Sequence, residues 1–90
     1  MKFPDTFISE WTSPNGIPGR TYMAKDLQPK MRFLGGDGDW YVAQTVEVRG
    51  TFALVTFVEN VYGDEVTVQY GSEELVDVRL PIGFRPASGR

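Results

Sequence analysis

From residue 30 onward, apolar and polar positions alternate with a period of two, and β-branched and aromatic side chains dominate. That is the pattern of strands whose successive side chains point to opposite faces of a sheet. Segment 31–34 reads as a first strand, and Gly35-Gly36-Asp37-Gly38-Asp39 supplies residues that tolerate the positive φ angles of a hairpin connection. Segment 40–49 is a long second strand, with Val42, Val46 and Val48 on one face and Tyr41 and Ala43 on the other. After Gly50, segment 51–58 is apolar on both faces (Phe52, Leu54, Val58 and Ala53, Val55, Phe57), as expected of a strand covered on two sides. Gly63-Asp64 turns the chain into 65–70, where Val66, Val68 and Tyr70 share a side. Gly71-Ser72 then leads into 74–80, with Val76, Val78 and Leu80 inward and Asp77 and Arg79 outward.

The first thirty residues read differently. Pro4, Pro14, Asn15, Gly16, Pro18, Gly19 and Pro29 predict an irregular arm without long elements. Within it Phe3, Phe7, Ile8 and Trp11 are spaced like one face of a short helical turn, and 22–27 suggests a second turn stopped by Pro29. Trp11, with Phe7 or Ile8, is expected to pack on the following strands. Five short strands with tight turns and no intervening helix predict an all-β fold, because closing such a sheet removes its edges. The expectation is a small five-stranded antiparallel SH3-like barrel over 30–83, an arm over 1–29 that packs on it, and a loose C-terminal tail over 84–90.

Ninety residues make one domain with one modest core. The absence of Cys and His removes disulfides, thiolate sites, the commonest metal ligand and the commonest general base. No apolar run approaches the roughly 18 residues of a membrane span, and residues 1–10 lack the basic-then-apolar order of a signal peptide, so an intracellular, soluble chain is expected. The net charge of −3 hides an asymmetry: segment 37–77 carries nine carboxylates against Arg49 alone, whereas both flanking segments are mildly basic. An acidic surface repels phosphate, which makes nucleic acid an unfavourable partner and a Lys/Arg-rich peptide a favourable one.

Paired carboxylates at Asp37/Asp39 and Glu73/Glu74 raise the question of hydrolysis. Both pairs lie beside glycine turns, where water screens them and nothing splits their pKa values. Asp37-Gly38-Asp39 also lacks the ladder and closing Glu of a calcium loop. No catalytic, metal or cofactor site is expected, and the chain is read as a non-enzyme. What stands out instead is a set of aromatics on a β scaffold, Phe33, Trp40, Tyr41, Phe57, Tyr62 and Tyr70. Such rings either pack a core or form a cage around a methylated cation. Trp40 and Tyr41, as strand neighbours, point to opposite faces, so one of them is expected outside the core.

At Asp37-Gly38-Asp39-Trp40-Tyr41-Val42-Ala43 the sequence resembles the Tudor signature, and 41–48 is similar to the second strand of chromo-barrel domains. Glu65-Val66-Thr67-Val68-Gln69-Tyr70 followed by 73–79 resembles the matching part of chromo-barrel and SAWADEE domains, all members of the Royal superfamily of SH3-like barrels. The resemblance spans about residues 30 to 80. Leu75 stands where the family has Trp, and 51–62 is an added apolar stretch. Tyr62-Gly63-Asp64-Glu65 can alternatively be registered as the Tyr-Gly turn of Tudor domains.

The resemblance implies a nuclear reader of methylated lysine or arginine on histone-like tails in chromatin. Its aromatic cage would draw on Tyr41, Tyr70, Trp40, Phe33, Phe57 and Tyr62, with Asp37, Asp39, Glu73 and Glu74 as an acidic rim. The partner is then a basic or methylated peptide or protein, with no membrane and no cofactor. The alternative is a small viral or bacterial adaptor that uses the same barrel to dock a protein partner.

Overall fold

The computed structural model describes residues 3–81, and the expected tail at 84–90 lies outside them. Among the described residues seven strands are formed: β1 (Ser9–Thr12), β2 (Pro18–Met23), β3 (Arg32–Leu34), β4 (Trp40–Arg49), β5 (Phe52–Val58), β6 (Glu65–Gly71) and β7 (Leu75–Arg79). A single 3₁₀ turn, Ala24–Asp26, is the only helical element among the described residues, and no helix there is long and apolar enough to cross a membrane. The strands pair antiparallel in the order β1-β2-β7-β3-β4-β5-β6. The five strands expected between residues 30 and 80 are present, and the protein is all-β.

The count of seven corrects the expected five. The arm supplies β1 and β2, a hairpin whose second strand runs along β7 from Gly19↔Arg79 to Met23↔Leu75. The helical turn expected from Phe3, Phe7, Ile8 and Trp11 does not form, because backbone pairing with β2 claims Ser9–Thr12. The turn expected at 22–27 is the 3₁₀ turn.

Strand β4 organises the core by serving two sheet segments. Residues 40–42 pair with β3, and 43–49 pair with β5. Between them the register slips at Ala43/Thr45, a bulge that bends the strand and reverses its inside–outside parity. Tyr41 and Ala43 therefore point inward before the bulge, while Val46 packs on the core after it. Val42 and Val48 are exposed. Strand β5 is covered on one side only: Ala53, Val55 and Phe57 are buried, Phe52 and Leu54 are half-buried and Val58 is exposed. The remaining core comes from Phe3, Tyr22, Phe33, Val76, Val78 and Leu80, with Ala24, Leu27 and Met31 from the β2–β3 connection.

One charged residue sits on the inward face. Arg20 is 1% exposed, at the row where Glu10, Val78, Phe33 and Tyr41 lie opposite one another. Burying a guanidinium is tolerable only with partners. Its Nε donates to Glu10 Oε2 at 3.3 Å, its Nη1 donates to the Pro4 carbonyl at 3.3 Å, and the Phe7 ring lies 4.2 Å from Cζ. Tyr22 donates its hydroxyl to the same Pro4 carbonyl at 2.8 Å and stands edge-on to Phe7. Phe7 thus packs on the sheet as expected, whereas Ile8 is half exposed.

Candidate functional site

The six aromatics read as a cage are not brought together around one opening. Phe33, Tyr41 and Phe57 occupy the inward face of β3, β4 and β5 and pack on one another, with ring centroids 4.4 to 6.2 Å apart. Phe33 is wholly inaccessible, and Phe57 and Tyr41 are 6% and 7% exposed. These three rings build the core, because the β3–β4 and β4–β5 registers stack them on the same inner face. Trp40 lies outside, its ring under the Arg79 guanidinium at 4.3 Å and 6.3 Å from the Trp11 ring. Tyr62 is 84% exposed in the β5–β6 turn, away from the others.

That turn is braced by one carboxylate. The Glu59 carboxylate accepts the backbone N–H groups of Val61 (2.8 Å), Tyr62 (2.6 Å) and Asp64 (3.1 Å). These donors, led by Asp64, hold its carboxyl below the ordinary range.

Of the acidic residues, Asp37 is spent locally. Its carboxylate accepts the Tyr41 hydroxyl and the Asp39 N–H, the latter at 3.0 Å. The Tyr41 bond, then the Asp39 bond, lowers the Asp37 pKa, and the same carboxylate pushes Tyr41 up to about 12. Gly35 makes the arrangement possible, since a Cβ there would stand 2.8 Å from the Tyr41 ring. Gly38, at φ 88°, closes the turn. Asp39 and Glu73 are exposed.

Tyr70 and Glu74 do converge, in an open groove of about 550 Å³ between the β3–β4 turn and the β6–β7 turn. Register builds its wall: Ser9, Thr21 and Asp77 lie opposite one another across β1, β2 and β7, and Leu34 stands in the same row of β3. Asp77 Oδ1 accepts the Thr21 hydroxyl at 2.6 Å, which fixes the carboxylate beside the opening. Glu74 is set by its turn, where Oε1 accepts the Gly71 N–H at 3.2 Å and its carbonyl accepts the Ala24 N–H at 2.8 Å. Leu75, 57% exposed, and Leu34 give the groove an apolar side. Desolvation, and next the Glu74 charge, raise the Tyr70 pKa. Among the described residues no cationic side chain lines the groove.

The structure thus brings Tyr70 and Glu74, two of the expected site residues, to one groove, together with Asp77, Thr21, Ser9, Leu34 and Leu75, which sequence reasoning did not assign to a site. The outward direction of Asp77 was readable from the alternation of β7. Its neighbours Ser9 and Thr21 were not, because they come from an arm read as irregular. Among the described residues no cluster of three carboxylates stands close enough to hold a metal ion.

No family model, curated protein or solved structure matches the chain. The likeness to the Royal superfamily accordingly rests on the short motifs quoted above.

Proposed function

We propose that the protein is a non-catalytic binding module that takes a Lys- or Arg-bearing peptide segment into the Tyr70–Glu74–Asp77 groove. The carrying observation is the composition of that groove, in which, among the described residues, two carboxylates, one aromatic ring and two leucines line a concavity without a cation. A lysine stem lies along Leu34, Leu75 and the Tyr70 ring while its ammonium meets Glu74 and Asp77. The acidic middle of the chain adds long-range attraction for such a partner. Methylation is not required, because a single ring offers a cation–π face but no enclosure. The meander of β3 to β6, with β7 returning beside β3, supports the SH3-like reading of the fold. The nuclear setting of a histone-tail reader rests on motif resemblance alone and is not part of the proposal.

The test is the affinity of a short Lys-rich peptide for the wild type and three variants. Tyr70→Ala is expected to weaken binding roughly fivefold to tenfold through loss of the cation–π face. Glu74→Gln and Asp77→Asn should each cost roughly twofold to fivefold, with losses that shrink as salt rises. Equal affinity for an acidic peptide, or indifference to all three changes, would refute the reading.

The adaptor reading keeps one supporting observation. Val61 and Tyr62, 77% and 84% exposed, project from the Glu59-braced turn, a pre-ordered apolar tip suited to docking a protein partner. Binding that depends on Tyr62 and ignores Tyr70 would select it.

A further inference from the structure

The outward face of the sheet carries an arrangement at odds with ordinary strand pairing. Register sets Arg32 on β3 directly opposite Arg79 on β7. Side chains so placed have Cβ atoms about 4.5–5.5 Å apart, and like charges there repel. The ion pairs among the described residues are Arg20–Glu10 and Arg49–Glu47, and neither relieves this couple. Asp77, two residues before Arg79, accepts the Thr21 hydroxyl instead.

Trp40 reaches across β3 from its position opposite Leu34 and lies under the Arg79 guanidinium at 4.3 Å. Stacking fixes the plane of that guanidinium and leaves its N–H edge available. The same Trp40 also bounds a hollow of about 290 Å³, together with Arg32, Tyr41, Val42, Val58, Gln44 and Asn60. A cationic edge, a flat aromatic wall, two amides and an apolar side make a binding site in miniature.

We propose that this shelf binds an oxyanion, phosphate or carboxylate, carried on a flat or apolar body. The oxyanion bridges the Arg32 and Arg79 guanidinia and removes their repulsion, while the body lies against Trp40, Val42 and Val58. The site is separate from the acidic groove and opposite to it in charge preference.

Phenyl phosphate and benzoate, titrated at constant ionic strength, test it through the NMR resonances of the arginine Nε–H and tryptophan indole N–H groups. Saturable shifts of Arg32, Arg79 and Trp40 are expected with at least one probe, and the tighter of the two names the oxyanion. Arg32 is exposed, so Arg32→Gln leaves the core intact. That change should weaken binding roughly tenfold, as loss of one charge-assisted fork would. It should also leave the free protein at least as stable to heat at low salt, because the repulsion is gone. Lys25→Gln, which removes an exposed cation elsewhere, should change neither readout. Non-saturable shifts, equal binding by Arg32→Gln, or an equal loss in Lys25→Gln would overturn the proposal.

Discussion

Replacing Phe33 separates a core ring from a ligand-binding ring, and the structure fixes the expected size of the effect. Phe33 is wholly buried, stands edge-on to Phe57 at 5.4 Å and tilts against Tyr41 at 6.2 Å. Phe→Ala at such a site costs about 3–5 kcal/mol, because the ring's transfer energy is lost and a cavity remains. A ninety-residue domain has roughly 5–13 kcal/mol of stability in all. With a urea slope of about 1–1.5 kcal/mol per molar, the unfolding midpoint should therefore fall by about 2–5 M. Phe33→Leu keeps most of the volume and should cost under about 1.5 kcal/mol. The assay is urea unfolding followed by far-UV circular dichroism, run beside titration of the Lys-rich peptide with the Leu variant. Peptide affinity should stay within roughly twofold of wild type, since Phe33 does not line the groove. A variant that keeps its midpoint but loses the peptide would refute the core assignment and restore Phe33 to a cage.

Two further predictions concern close contacts. A Cβ on Gly19 would stand 2.2 Å from the Trp11 indole, its cross-strand partner, so Gly19→Ala must push that ring off β2 and break its contact with Trp40. The cost should be about 1–3 kcal/mol and should largely vanish when Trp11 is also replaced by Ala, so additive losses in thermal unfolding would contradict the contact. The Asp37–Tyr41 hydrogen bond should make stability pH-dependent at both extremes. Asp37 titrates below its ordinary value of 3.8 in the folded state, so its contribution is present above that value and lost as pH falls through the lowered one. Tyr41 is raised from 10.0 to about 12, so its contribution is present below pH 10.0 and lost as pH climbs toward 12. The stability gap between wild type and Tyr41→Phe should be flat in between and close at both ends; a gap independent of pH would remove the bond from the account.

Strands β3 to β7 were legible because glycine or acidic turns separate them and because β6 and β7 keep their apolar residues in alternation. The hairpin of β1 and β2 was hidden by its own chemistry. Its inward position at Arg20 holds a cation matched by Glu10 and Phe7, the reverse of the apolar pattern that marks a core strand. Pro18 and Gly19 read as breakers, yet Pro18 opens β2 and Gly19 is the bare backbone on which Trp11 lies. The bulge at Ala43/Thr45 also lay beyond the alternation rule, because Tyr41 and Val46 differ in parity and only a slip brings both to the core. Half of the site could be read for the same reason. Tyr70 and Glu74 flank a recognisable turn, whereas Thr21 reaches the groove only through pairing with β7, Ser9 only through pairing with Thr21, and Leu34 only because β3 runs beside β7.

The groove is tested most directly by mapping backbone amide shifts during titration with one Lys-rich peptide in unmethylated and trimethylated forms. The account predicts shifts concentrated at Gly35, Gly36, Tyr70, Glu74, Leu75 and Asp77, with affinities for the two forms within roughly threefold, because one ring cannot enclose a methylated cation. Shifts centred on Val61 and Tyr62, or binding confined to the trimethylated peptide, would contradict it.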